Sequence, residues 1–366
     1  MKIQIRFRHF CLLSLLALAA GCKDPDEADK KPFDRPAMLQ DLGNKVILPN
    51  YQYLQTEAGK LKTASDQFTA SPDASTLAAV RTAFKDAYLA WQHVSAVEIG
   101  PAEQAMLQME LNTYPTDTTF ILNKISANGA PAAYAEKGFP AIDYLLFSRK
   151  TDAAVLAQFN AEPNRKTYLQ QLTSQVKTHA DAMVTSWSPA GGNYLNTFVN
   201  ASGTDVGSSA GQLVNRLNAD LEMVKTNKLG IPLGKKTLGT PRPEKAEAYY
   251  SGYSNELAIE NIKGIRNLYS GTDRQGTNHL GFDDYLNYLE AKSGDGRNLT
   301  EAIDAKVNSI LAALQAIPAP ISEAVITHQP TVEKAYEETR TSVVLFKTDM
   351  PSALGILITY QDNDGD

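Results

Sequence analysis

Cysteine is almost missing from this sequence: Cys11 and Cys22 are the only two, and both lie within the first 22 of 366 positions. The body of the chain therefore has no disulfide framework and no thiol nucleophile. Histidine is scarce as well. His93, His179, His279 and His328 are the four beyond the first ten residues, and none stands in an H-E-x-x-H or H-x-x-E arrangement, which removes the helical zinc-protease pair. No Walker loop, G-x-G-x-x-G after a strand, C-x-x-C-H for haem attachment or G-x-S-x-G elbow is present, and nothing points to a Ser/His/Asp triad. Runs of lysine and arginine are missing, so nucleic acid is not an expected partner. Strand-like alternation is nearly absent apart from a short apolar run, Leu354 to Tyr360. These absences favour a binding module over an enzyme.

What is there begins with a targeting segment. A basic stretch, Lys2 to His9, precedes the apolar run Phe10 to Ala20, which is too short to cross a bilayer comfortably. Ala19-Ala20-Gly21-Cys22 resembles a bacterial lipoprotein box, so residues 1–21 read as a signal peptide and Cys22 as the lipidated first residue. The alternative is a cut at Ala-Ala-Gly that yields a soluble exported protein. Residues 22–36 are polar, charged and proline-containing and read as a tether. The expected location is the outer membrane, on its periplasmic or exposed face, with a lipid anchor as the membrane contact. The full chain carries a net charge of −6. Losing Lys2, Arg6 and Arg8 with the leader leaves 32 basic residues against 41 acidic ones, or −9.

From Ala37 the pattern is helical. Met38, Leu42, Val46 and Ile47 form a stripe that Tyr51 and Leu54 carry past Pro49, where a kink or a division is expected. Ser71-Pro72-Asp73 reads as a helix start, followed by Leu77, Val80, Phe84, Tyr88, Trp91 and Val94 at spacings of three and four. The next position on that stripe is Glu98, and the helix is expected to end at Gly100-Pro101. His93 falls on the opposite side and reads as exposed. Asn164 to Trp187 is a second long helix, and residues 188–208, rich in Gly, Ser, Asn and Thr, read as a domain boundary. Beyond it, Leu213, Leu217, Leu221 and Val224 form a stripe that stops at Gly230-Ile231-Pro232. A basic loop with Lys235, Lys236 and Arg242 follows, and then further helices. No internal repeat stands out. The terminal Asp362-Asn363-Asp364-Gly365-Asp366 starts like a calcium loop and ends before the remaining ligands, so it reads as a solvated acidic tail.

The segment Gly138 to Phe147 draws most attention. Phe139, Ile142, Leu145 and Leu146 share one helical face, and Asp143 falls on that same face. A carboxylate on a core-facing stripe must be hydrogen-bonded, paired, metal-bound or protonated. Glu98 is placed in the same way, and two such acids can hold a hard cation or shift each other's ionisation. The plainer alternative for Asp143 is an acid that favours a helix N-terminus.

Leu42 to Leu54, Trp91 to Pro101, Gly138 to Phe147, Arg242 to Tyr253 and the terminal Asp364-Gly365-Asp366 together resemble the imelysin-like proteins, also called the insulin-cleaving membrane protease family. The resemblance implies an all-α fold of two helical-bundle domains packed side by side, with a short irregular C-terminal segment. The domains would be residues 37–190 and 209–366, joined by a linker over 191–208. It implies an exported, often lipid-anchored protein linked to iron regulation and to iron or haem uptake. Peptidase activity is attributed to some members, whose Gly-x-His-x-x-Glu signature is proposed to bind metal. Here Pro140 stands at the histidine position and Asp143 at the glutamate position. The expected site is therefore a non-catalytic one. Glu98 and Asp143 are its metal-side groups, for iron or another divalent cation, and Trp91, Arg242 and Tyr253 contribute to ligand binding. The alternatives are a metallopeptidase of the imelysin type and a polysaccharide- or protein-binding surface module.

Overall fold

Asp34 opens the first helix by accepting the N–H of Ala37 at 3.0 Å, and Pro36 occupies the second position, where a missing N–H costs nothing. The structure is a computed structural model describing residues 31–318 and 320–359. Cys22, its lipidation, the leader, most of the tether and the terminal acidic stretch lie outside the described residues.

Helix α1 (Arg35–Asp41) passes through a π turn (Leu42–Ile47) into α2 (Leu48–Ala70) without breaking. Pro49 does not divide it, and the reason is local. A proline ring crowds the carbonyl four residues back and offers no N–H. The π turn inserts one residue, so the N–H of Leu48 reaches the carbonyl of Gly43, five residues back, and the helix continues past the ring. The same device recurs twice among the described residues. Helix α11 (Ser209–Met223) runs through Val224–Gly230 into α12 (Ile231–Leu233) at Pro232. Helix α17 (Gln329–Val343) runs through Val344–Asp349 into α18 (Met350–Leu354) at Pro351. A lysine, Lys45, Lys228 or Lys347, stands four residues before each proline.

Helix α3 (Ala74–Gln92) starts two residues later than a Ser71 cap would place it. Asp73 is the cap, reciprocated by Thr76 in a capping box. It also ends earlier than expected. The Ser95 hydroxyl donates to the carbonyl of Gln92 (3.2 Å), and a 3₁₀ turn over Ser95–Val97 follows, so Glu98 lies beyond the helix and off its stripe. His93 is not exposed as expected, because its ring meets Glu260 at 2.9 Å and its side chain is 13 % exposed.

Short helices α4 (Pro101–Gln104), α5 (Leu107–Asn112) and α6 (Thr118–Ser126) lead to α7 (Gly138–Phe147), α8 (Asp152–Ala161) and the long α9 (Pro163–Trp187). Helices α2, α3, α7 and α9 pack on one another. The expected linker over 191–208 carries its own helix, α10 (Tyr194–Asn200), with Phe198 wholly buried 5.3 Å from the Trp187 ring. After α12 come α13 (Ser254–Ser270), α14 (Phe282–Tyr288), α15 (Leu299–Gln315) and α16 (Ile321–Thr327). Helices α11, α13, α15 and α17 form a second packed set, and α13 also crosses α3. The described residues from Asp34 onward fall within one compact unit.

Candidate functional site

Gly138 begins α7 at φ +70°, and a Cβ there would lie 2.3 Å from the carbonyl oxygen of Leu111. Only glycine allows α5 and α7 to meet so closely. Phe139 then stacks on Tyr88 of α3 at 4.6 Å, and Pro140 and Asp143 line a crevice together with residues of the loop after α12.

Asp143 is 1 % exposed. Its Oδ2 accepts the N–H of Tyr250 at 2.9 Å and its Oδ1 accepts the N–H of Ser251 at 3.0 Å. The carboxylate thus holds the tyrosine-rich turn whose Gly252 N–H closes on the carbonyl of Ala248 at 2.9 Å. Burial pushes Asp143 up to about 7, against the pull of those N–H groups, and Glu247 nearby adds to the rise. The crevice beside it has about 20 Å³, room for one water. Tyr114, whose buried hydroxyl has no partner, lines this crevice with Glu244 and Tyr249. Tyr144 and Tyr249 flank Tyr250 at 5.1 and 5.2 Å, and Arg149 lies over the Tyr249 ring at 4.7 Å.

Next to this turn is a buried polar centre that the sequence reading missed. Lys228 Nζ donates to Glu247 Oε2 at 2.6 Å and to Gln92 Oε1 at 2.7 Å. Glu247 Oε1 accepts from Asn112 Nδ2 at 2.8 Å and, more weakly, from Tyr88 and Gln92 at 3.3 Å each. The side chains of Lys228 and Glu247 are 4 % and 1 % exposed. A buried pair of this kind persists only when its remaining donors and acceptors are satisfied, as they are here. The signal was available: Lys228 follows Leu221 and Val224 at spacings of three and four, a charge on an apolar stripe just as Asp143 is. Asp220 forms a second buried knot, accepting from Ser95 at 2.9 Å and Asn261 at 2.6 Å.

The structure does not bring Glu98 to Asp143. Glu98 pairs with Arg216 and accepts the N–H of Gln108 at 2.9 Å. It lines a groove of about 400 Å³ with Asn215 and Thr359, and no described residue lines both this groove and the Asp143 crevice. Burial raises the Glu98 carboxyl and Arg216 opposes the rise. Trp91 is 1 % exposed, inside the core rather than at a ligand-accessible surface. Arg242 is partly exposed and pairs with Glu244 at 2.7 Å, which ties it to the rim of the Asp143 crevice. Tyr253 is near the site: its ring meets Phe147 edge-on at 5.6 Å and carries Lys85 at 4.8 Å.

The profile of the imelysin family matches residues 47–344, most of the chain. The chain belongs to the imelysin family. It is 24% identical over 292 residues to iron-regulated protein A of Synechococcus elongatus, a match covering 77% of this chain and 76% of that protein. Two solved structures share the fold. One is an iron-regulated protein A precursor from Parabacteroides distasonis, with TM-score 0.73 and 17% identity, covering 89% of this chain and 97% of that one. The other is an imelysin-like protein from Psychrobacter arcticum, with TM-score 0.69 and 17% identity, covering 90% and 99%. The all-helical architecture implied by the resemblance is thus the architecture found.

A metal at the imelysin signature would need about three protein ligands and an open position. Pro140 supplies none, and Asp143 is committed to two main-chain N–H groups. Among the described residues no three His, Cys, Asp or Glu side chains gather in a way that could hold a metal ion. The residues present do not fit a metal centre of that kind.

Proposed function

We propose that this imelysin-family protein serves iron acquisition at the cell envelope as a binding protein and does not cleave peptides. The observation that carries the reading is Asp143, which gives both oxygens to the backbone of the turn at Tyr250 and Ser251 while Pro140 stands one turn ahead. The signature segment then fixes a surface of tyrosines, with Tyr253 and the Arg242–Glu244 pair at its edge, instead of assembling a hydrolytic centre. The iron part is supported by the relative named iron-regulated protein A. The reading includes a lipid anchor at Cys22 and a position on the outer membrane, on the strength of the box-like Ala19-Ala20-Gly21-Cys22.

The test uses the mature chain without its lipidated cysteine, residues 23–366, on a broad peptide pool with zinc, with iron and with a chelator. No metal-dependent cleavage is expected. Cleavage that chelation and Asp143→Ala both abolish would overturn the non-catalytic reading. A deletion strain is expected to grow poorly on limiting iron, and growth equal to the parent would sink the iron role.

A further inference from the structure

Away from Asp143, the π turn Val224–Gly230 forms one wall of a groove of about 440 Å³. Four cations line it: Lys225 from the turn itself, Lys235 and Lys236 from the loop after α12, and Arg340 from α17. No acidic side chain is among the described residues that line it, in a chain whose net charge is −6. The floor includes the Tyr336 ring, over which Lys235 Nζ lies at 4.8 Å. Gly230 keeps the groove open, since a Cβ there would come within 3.1 Å of the Tyr336 ring.

We propose that this groove binds a small anion carrying at least two negative charges, of which a phosphate group is the simplest. The acids around the groove accommodate such a ligand. Lys225 pairs with Glu222 at 2.6 Å and Arg340 with Glu337 at 2.7 Å, each along its own helical run, while Lys235 pairs with Glu333. The Lys235 and Arg340 pairs are solvent-accessible, and accessible pairs are weak enough for a multiply charged anion to compete with them. They hold the side chains close to the groove until the anion arrives. Arginine can then offer its planar fork to two oxygens at once, and the lysines act as point charges. Two sources share this chemistry, a free phosphate or polycarboxylate and the headgroup of an anionic lipid. The wholly exposed Leu238 between Lys236 and Arg242, and the exposed Val344 on the groove wall, are apolar points that a lipid surface could receive.

The experiment is calorimetric titration of the mature chain with inorganic phosphate and with citrate, beside co-sedimentation with vesicles of phosphatidylglycerol and of phosphatidylcholine. Binding in the soluble arm identifies a free anion, and binding only to phosphatidylglycerol vesicles identifies a headgroup. In either case Lys235→Glu with Lys236→Glu is expected to weaken binding roughly tenfold or more, the worth of one charge-assisted hydrogen bond, and added salt should weaken it further. Both lysines lie on an exposed loop, and Arg340→Gln provides a second variant on a separate element, expected to act in the same direction. Absence of binding in both arms overturns the proposal, as does binding that none of these variants changes. Neither result bears on peptide cleavage or on growth with limiting iron.

Discussion

Burial sets the behaviour of Asp143 more than any charged neighbour does. The two N–H groups favour the ionised carboxylate, yet its pKa is pushed from 3.8 up to about 7 because desolvation outweighs them. The consequence for stability has a definite sign. Between about 4 and about 7 the folded chain retains a proton that the unfolded chain has released, so this residue's contribution is full at low pH and falls as pH rises through 7. Asp143→Asn is close in shape to the neutral acid and cannot ionise. Urea unfolding at pH 5 and pH 8 is therefore expected to show a smaller loss of stability with rising pH in the variant than in the unmutated chain. Equal losses would mean that Asp143 ionises normally. Asp283, which burial and Asp284 also push up to about 7, is present in both proteins and cancels in the comparison. Asp143 was legible in the sequence because an acid on an apolar stripe breaks a periodic pattern. Lys228 breaks its stripe in the same way, but the proline shortly after it reads as a helix end and hides the register. Glu247 lies in a loop, where no period exists to break, and only folding shows that it is buried.

The helices themselves were legible, since periods of three and four persist over many residues and caps mark their starts. The π turns were not. Each adds one residue ahead of a proline, and a pattern of apolar letters does not distinguish an inserted residue from a break. Close crossings are a second feature invisible to periodicity. Gly264 of α13 sits where a Cβ would be 2.7 Å from the carbonyl oxygen of Gln92 and 3.0 Å from the Cα of His93, both of them main-chain atoms of the α3 end. Helix propensity alone favours alanine there by about 1 kcal/mol. Overpacking a crossing that cannot yield costs about 1–3 kcal/mol and should win. Gly264→Ala is thus expected to lower the melting temperature. Gly59→Ala on α2, where an added Cβ meets nothing within 4 Å, is expected to raise it. The pair of variants separates the two effects, and a stabilised Gly264→Ala protein would show that α13 can move off α3. Such a shift would also disturb Gln92, which accepts from Lys228 at 2.7 Å.

At the scale of the whole molecule, the buried centre joins residues far apart in sequence: Tyr88, Gln92 and Asn112 from the first half, Lys228 and Glu247 from the second. Composition suggested a boundary over 188–208 because small polar residues usually mark an exposed linker. Phe198 and Leu195 instead bury part of that stretch, and the polar centre supplies a connection that no local window can report. Two helix sets tied in this way should unfold together. Scanning calorimetry of the mature chain is expected to give one transition, whereas two resolved transitions would show that the sets are independent domains. Lys228→Met sharpens the test. It leaves Glu247 charged, buried and without its cation, at a cost of about 3–5 kcal/mol. The shared centre then weakens for both sets at once, so the single transition should move down as a whole. Replacing Glu247 by Gln in the same protein removes the orphaned charge and should return much of the loss, because a neutral pair avoids the desolvation penalty that the ion pair carries. If the second substitution returned nothing, the loss in Lys228→Met would lie in packing around the lysine stem, and the two halves would owe their union to the apolar crossing of α13 on α3.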